Sequence, residues 1–244
     1  MRKWRRRPGF KRGPARRRYK ARRRRVTRRR RALPIGGWPR GRTQPIRLRY
    51  AELITFDVSS INVLATKEYC ANGLFDPNLS LGGHQPRGFD EWIQIYNEYT
   101  VIGSKCCVQA VGGGDGNNKF PANWGICLMD QAGTLASANI QDAIELGLVG
   151  SFAASVGSVA AVPDKRLSYR TKSFSLRKFF GAKQNLVRNP DFTGNENRNP
   201  TDQAVYTIWC VNCTGTDPPL FTFLLHIDYI VIFSQRRPAD PPVS

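Results

Sequence analysis

LFTFLLHIDYIVIFS, residues 220–234, reads either as a buried helix or as one long strand. Phe221, Phe223, Leu225, Ile227, Tyr229, Val231 and Phe233 recur at every second position, whereas a helix would gather its apolar residues at three- and four-residue spacing. The β-branched and aromatic content points the same way. The stretch is therefore a long core strand, and the body around it is expected to be built from strands.

Seven further segments fit that expectation. IRLRYAELITFDVS (46–59) alternates Ile46, Leu48 and Tyr50 with Arg47 and Arg49. A short strand near 61–69, YTVIGSKCCVQAV (99–111), NWGICLMD (123–130), VAAV (159–162), RLSYRTKSFSL (166–176) and AVYTIWCVNC (204–213) follow, bounded by Gly, Pro, Asn or Asp. Two short helices interrupt them. In FDEWIQIYNEY, Phe89, Trp92, Ile93 and Tyr96 fall at i, i+3, i+4 and i+7, with Asp90 and Glu91 in the first turn. NIQDAIELGL has Asn139 as N-cap and Gly147 as stop. Eight antiparallel strands with short helices in long loops predict an all-β fold. A jelly-roll β-sandwich over 46–244 suits the pattern better than a barrel or an immunoglobulin-like domain.

Charge divides the chain differently. Residues 1–51 hold 23 Lys plus Arg and no carboxylate, while from Glu52 onward 15 Lys plus Arg face 18 Asp plus Glu. The start is +23 and the remainder −3. A domain lying against nucleic acid over its whole surface would spread its cations; here they form an arm, residues 1–45, on a nearly neutral body. Pro8, Pro14, Pro34, Pro39 and Pro45, with few apolar residues, predict that the arm is disordered when unbound.

The arm's phosphate-binding candidates are Arg2, Lys3, Arg5, Arg6, Arg7, Lys11, Arg12, Arg16, Arg17, Arg18, Lys20, Arg22, Arg23, Arg24, Arg25, Arg28, Arg29, Arg30 and Arg31. Guanidinium forks suit bidentate phosphate contacts, and Trp4 and Tyr19 are placed among them to stack on unpaired bases. Binding of this kind is blind to sequence. The runs Arg22–Arg25 and Arg28–Arg31 also read as a nuclear localisation signal. No apolar stretch follows the basic start, so a secretory signal is not expected, and five prolines spoil the amphipathic helix of a mitochondrial presequence. No segment is long and apolar enough to span a bilayer, so membrane insertion is not expected and a soluble protein made in the cytoplasm is.

Little points to catalysis or metal binding. Cys106 and Cys107 point to opposite faces of their strand, and Cys70 and Cys127 lack a partner at metal-ligand spacing. Cys210 and Cys213 form a single CxxC whose sulfurs also diverge in a strand. Buried thiols are the expectation, with no cofactor. Of the two histidines, His84 sits in a GGHQP loop, while His226 shares a strand face with Asp228; a Cys or Ser nucleophile beside them would make a trio, but no nucleophile elbow accompanies it. The run Gly112–Gly116 lacks the Gly-Lys-Ser/Thr of a phosphate loop. Asn78-Leu79-Ser80 and Asn212-Cys213-Thr214 match the glycosylation triplet by accident. Trp38, Phe75 and Phe192 are candidates for burial between subunits or in the core.

One region carries a resemblance. Ala71-Asn72-Gly73, Asp76-Pro77, Gly83-His84-Gln85-Pro86-Arg87-Gly88-Phe89-Asp90-Glu91-Trp92, Tyr96-Asn97-Glu98-Tyr99 and Val101-Ile102-Gly103-Ser104 follow one another over residues 69–105. Their order and spacing resemble capsid proteins of small circular single-stranded DNA viruses, the circovirus and cyclovirus group. The resemblance implies a viral jelly-roll subunit that self-assembles into a T=1 icosahedral shell of about sixty copies. It also implies viral single-stranded DNA as cargo, host nuclear import receptors as partners of the arm, and residence in the virion and the host cell nucleus. Members of the group are linked to sulfated polysaccharide at the cell surface, and KRLSYRTK (165–172) is the candidate stretch, read more simply as an amphipathic strand with exposed basic residues. About sixty copies of the stretch before Glu52, at +23 each, would bring roughly 1,400 positive charges, enough at about one per phosphate for a strand on the order of 1,400 to 2,000 nucleotides. The alternatives from other classes are a non-viral nuclear nucleic-acid-binding β-domain and an enzyme tethered by its arm.

Overall fold

The computed structural model describes residues 44–58, 63–80, 83–113, 122–135, 139–145, 169–181, 186–212 and 220–237. Seven strands run through them: β1 Ile46–Phe56, β2 Leu64–Cys70, β3 Tyr96–Gly113, β4 Ala122–Met129, β5 Tyr169–Ser175, β6 Val205–Asn212 and β7 Phe221–Arg236. Three short helices accompany them: α1 Phe89–Ile95, α2 Ile140–Glu145 and α3 Leu176–Phe179.

The strands form two antiparallel sheets, one ordered β1-β7-β3-β5 and the other β2-β6-β4. Successive strands alternate between the sheets, and the pairs β1·β7, β2·β6 and β3·β5 are nested inside one another. That is a long antiparallel hairpin rolled up on itself, with β7·β3 and β6·β4 as the contacts made by rolling. The architecture is a jelly-roll sandwich, as expected. Of the eight expected strands seven are present, while 159–162 lies outside the described residues.

β7 behaves as its alternation predicts. Its odd-numbered positions from Phe221 to Phe233 are buried and the even-numbered ones between them are not. Against this row pack inner-face residues of both sheets: Phe56 meets Phe223 edge-on at 5.5 Å, Trp124 lies 5.1 Å from Phe223, and Tyr50, Tyr69 and Tyr206 fill the space between. β6 instead is buried at all eight positions. Its second face is closed by a smaller cluster in which Ile140 and Ala143 of α2 and Leu135 cover Leu64, Trp209 and Val211. Asn139 accepts from the backbone of Gln141 at 3.0 Å, as an N-cap residue does.

Structure and expectation differ most at three places. Tyr96, placed on the helix by spacing, has extended backbone (φ −126°, ψ 145°) and opens β3, which starts three residues before Tyr99. β3 carries irregularities between Val101 and Gly103 and between Ala110 and Gly112, which reset its alternation. After β5 the chain turns at Leu176 into α3, seating a phenylalanine cluster in which Phe174 and Phe192 are buried and Phe179 and Phe180 half-buried. Phe192 is thus core, Phe75 is half-buried, and Trp38 lies outside the described residues.

Candidate functional site

The motif blocks of residues 69–105 are drawn together by hydrogen bonds. Asn72 donates to the carbonyl of Asp202 (2.7 Å) and accepts from the amide of Ala204 (3.0 Å). Ser104 donates to the carbonyl of Ala71 at 2.6 Å and lies 3.0 Å from the Tyr206 hydroxyl. The Tyr99 hydroxyl accepts from the amide of Leu74 (3.0 Å) and donates to Asn199 Oδ1 (3.1 Å). Asn199 in turn donates to the carbonyl of Asp76 (2.9 Å). The glycines fit tightly: a Cβ on Gly73 would stand 2.4 Å from Asn199 Oδ1 and 2.7 Å from Cys70 Sγ. Gly88, at φ 88°, makes the left-handed turn that lets Phe89 start α1 and meet Tyr99 edge-on at 5.4 Å. These blocks fasten loops within the chain. Gly73→Ala is expected to destabilise the body by about 1–3 kcal/mol, and removing the obstructing side chain in Gly73→Ala/Asn199→Ala should not add the two single losses, which urea titration of the four proteins measures.

A second knot centres on Glu52. It lies on the inner side of β1, in line with Leu48, Tyr50, Ile54 and Phe56, and its carboxylate accepts from Tyr50 (2.6 Å), Tyr69 (3.0 Å) and Asn78 (3.2 Å). Burial, reinforced by Glu52, raises both tyrosine hydroxyls far above their ordinary range, so they remain donors. The His84 ring stacks on Tyr50 at 4.5 Å. Asn78 also accepts from the amide of Ser80 and is buried, which leaves no reachable amide for a glycan. Asn212 is buried in β6, with Cys213 and Thr214 outside the described residues.

The trio imagined around His226 is partly assembled. His226 stands opposite Cys107 in register, with Asp228 beside it on the same face. Their side chains are committed elsewhere: Arg49 holds Asp228 through Nε at 2.5 Å and a terminal nitrogen at 3.1 Å, and Cys107 Sγ accepts from the Tyr169 hydroxyl at 3.0 Å. The hydrogen bond and charge of Arg49 keep the Asp228 carboxyl below its ordinary value, and burial lowers His226 despite Asp228. Both folded-state values lie below the unfolded ones. Their stabilisation is therefore complete above the unfolded pKa and is lost as pH falls through the folded one. The groups facing His226 are Asp228, Arg49 and Lys105, with Cys107 opposite in register. His226→Gln should flatten the decline in melting temperature that sets in below about pH 6.5, and leave the steeper decline near pH 4.

The five described cysteines, Cys70, Cys106, Cys107, Cys127 and Cys210, are buried. Burial pushes the Cys70 thiol up to about 12 and Cys106 well above its ordinary value, so neither is a thiolate at neutral pH. Among the described residues no group of three or more His, Cys, Asp or Glu could hold a metal ion, and no helix is long and apolar enough to cross a membrane.

KRLSYRTK requires a correction. Arg170 and Lys172 share the Phe174 side of β5 and are half-buried, while Tyr169, Thr171 and Ser173 are the exposed set. β5 pairs through Phe174 with the inner side of β3, which turns the cations away from the open face. Lys165 and Arg166 lie outside the described residues, as do all the arm candidates from Arg2 to Arg31 and the loop 114–116.

No family model and no curated protein matches this chain. Among solved structures it is similar to turnip yellow mosaic virus (11% identity, 82% of this chain and 88% of that one, TM-score 0.41). It is also similar to the 60-mer BFDV capsid protein (12%, 82% and 97%, 0.40). A T=1 subviral particle of Penaeus vannamei nodavirus capsid protein gives 10% identity, 80% and 98% coverage, and 0.43. At such scores the likenesses fix neither family nor function; the fold rests on the strand pairings above.

Proposed function

We propose that this chain is a viral capsid protein that self-assembles around circular single-stranded DNA in a small T=1 icosahedral shell. The jelly-roll body forms the wall and the arm binds the genome. The observation that carries the reading is the partition of charge: +23 before Glu52 and −3 from there on, with the sandwich beginning at Ile46. A near-neutral body lets many copies pack without strong repulsion, and gathered arms neutralise a polyanion that no single copy could condense. The motif blocks of 69–105 add the resemblance to capsid proteins of the circovirus and cyclovirus group.

Nuclear import belongs to the same proposal, because the runs Arg22–Arg25 and Arg28–Arg31 that would bind the genome also read as a nuclear localisation signal. Attachment to sulfated polysaccharide is not extended to β5, whose Arg170 and Lys172 are half-buried. Size-exclusion chromatography and negative-stain microscopy of the full chain test the reading. Closed particles of uniform diameter are expected, whereas a homogeneous monomer or dimer with DNA present at physiological salt would favour a non-viral nuclear β-domain.

A further inference from the structure

The two sheets differ in what lies on their outer faces. That of β2-β6-β4 is closed by α2 and Leu135, but among the described residues no helix or cluster covers the outer face of β1-β7-β3-β5. Register sets straight rows across this open face. Leu53, Leu224, Gln109 and Tyr169 form one; Ala51, His226, Cys107 and Thr171 the next; Arg49, Asp228, Lys105 and Ser173 the third. With about 4.8 Å between strands, the four-strand width is roughly 15 Å.

The chemistry of the rows is graded. Leu53, Leu224 and Tyr169 are 61%, 42% and 40% exposed, high values for large apolar side chains. The Tyr169 hydroxyl reaches Cys107, which belongs to the neighbouring row on β3, so the ring lies along the sheet rather than standing off it. Four positions further along their strands are Arg49 and Lys105, with the carboxylate of Asp228 between them and Arg47 two beyond Arg49. Arg49 spends two of its donors on Asp228 and keeps the others. The Tyr169 ring and the two leucines, with a line of cations about 13 Å further along the strands, offer unpaired bases a stacking surface and their phosphates a charge partner. A second copy of this face would set cations against cations. The arm, with 21 Lys plus Arg in residues 1–45, joins the body at Ile46, on the edge strand of this sheet and next to Arg47.

We propose that the outer face of β1-β7-β3-β5 is a second single-stranded nucleic-acid site, holding phosphates on Arg47, Arg49 and Lys105 and bases on Tyr169 and Leu224. It rests on the reading that the chain packages single-stranded DNA. The arm recruits the strand by charge alone, and this face orders the nucleotides nearest the wall.

Ultraviolet cross-linking of the full chain to a bromodeoxyuridine oligonucleotide, mapped by mass spectrometry, tests the site. Cross-links within β5 or β7 are expected besides those in the arm; cross-links confined to residues 1–45 overturn the inference. At about 0.5 M salt, where the arm's contribution is screened, Tyr169→Ala should weaken binding about tenfold and Tyr169→Phe should not. Equal losses in both variants would show a structural role and overturn it. Should Tyr169→Ala unfold, Lys105→Gln gives the same comparison, with weaker cross-linking at β5 and β7 expected and unchanged cross-linking contradictory. Phosphatidylserine vesicles provide the competing surface: binding to them that depends on Tyr169, without any such dependence for the oligonucleotide, also overturns the proposal. Particle formation is followed by microscopy in parallel. Intact particles with arm-only cross-links remove this site alone, whereas failure of the unaltered chain to form particles removes the capsid reading.

Discussion

Tyr229→Ala should lower the unfolding free energy of the body by about 3–5 kcal/mol, measured by urea titration. The ring is fully buried in the middle of β7, between β1 and β3, where the facing residues are Leu48 and Ser104. Its hydroxyl donates to the carbonyl of Cys70 at 2.8 Å, tying the central strand of one sheet to the end of β2 in the other. Burial keeps that hydroxyl protonated far above its ordinary range. Tyr229→Phe retains the ring and leaves the carbonyl without this donor, so it should cost about 1–3 kcal/mol. The difference between the variants separates packing from the cross-sheet hydrogen bond. Equal losses would mean that the hydrogen bond, not the packing of β7, dominates there.

Changing Arg22–Arg25 and Arg28–Arg31 to glutamine should reduce the slope of log affinity against log salt, for single-stranded DNA, by about 5 to 6. Eight phosphate contacts at roughly 0.7 counterion each give that figure. Between 50 and 200 mM salt the original chain should therefore lose about 10³-fold more affinity than the variant. The body's melting temperature should stay unchanged, since the alterations lie before β1. The same variant in a fluorescent fusion should remain cytoplasmic. A slope that did not change would place the main phosphate contacts elsewhere than in these runs.

The elements legible in the sequence were those with clean periodicity. β7 carries seven apolar residues at period two, and β1 alternates in the same way, so their faces follow directly. β3 was less legible because its irregularities shift which residue faces the core, and Gly103 sits where a Cβ would come 3.2 Å from the carbonyl of Phe174. α3 could not be read from LRKF, a single turn stabilised by the phenylalanines it seats rather than by its own pattern. The loop knots were invisible for another reason: Asn72 and Asn199 are 127 positions apart, and each bonds to the other's segment only after folding. Glu52 did leave a signal, a carboxylate in line with Leu48, Tyr50, Ile54 and Phe56, which required buried donors. The open sheet face had none, since Tyr169, Leu224 and Lys105 come together only through the register.

Nuclease protection by the full chain, compared with a chain lacking residues 1–40, tests the division of labour most directly. Both proteins should form closed particles of the same diameter by microscopy. Those of the full chain should yield nuclease-resistant single-stranded DNA, and those of the shortened chain little. If the shortened chain protected DNA as well as the full chain does, the arm would not be the packaging element and the account would be wrong.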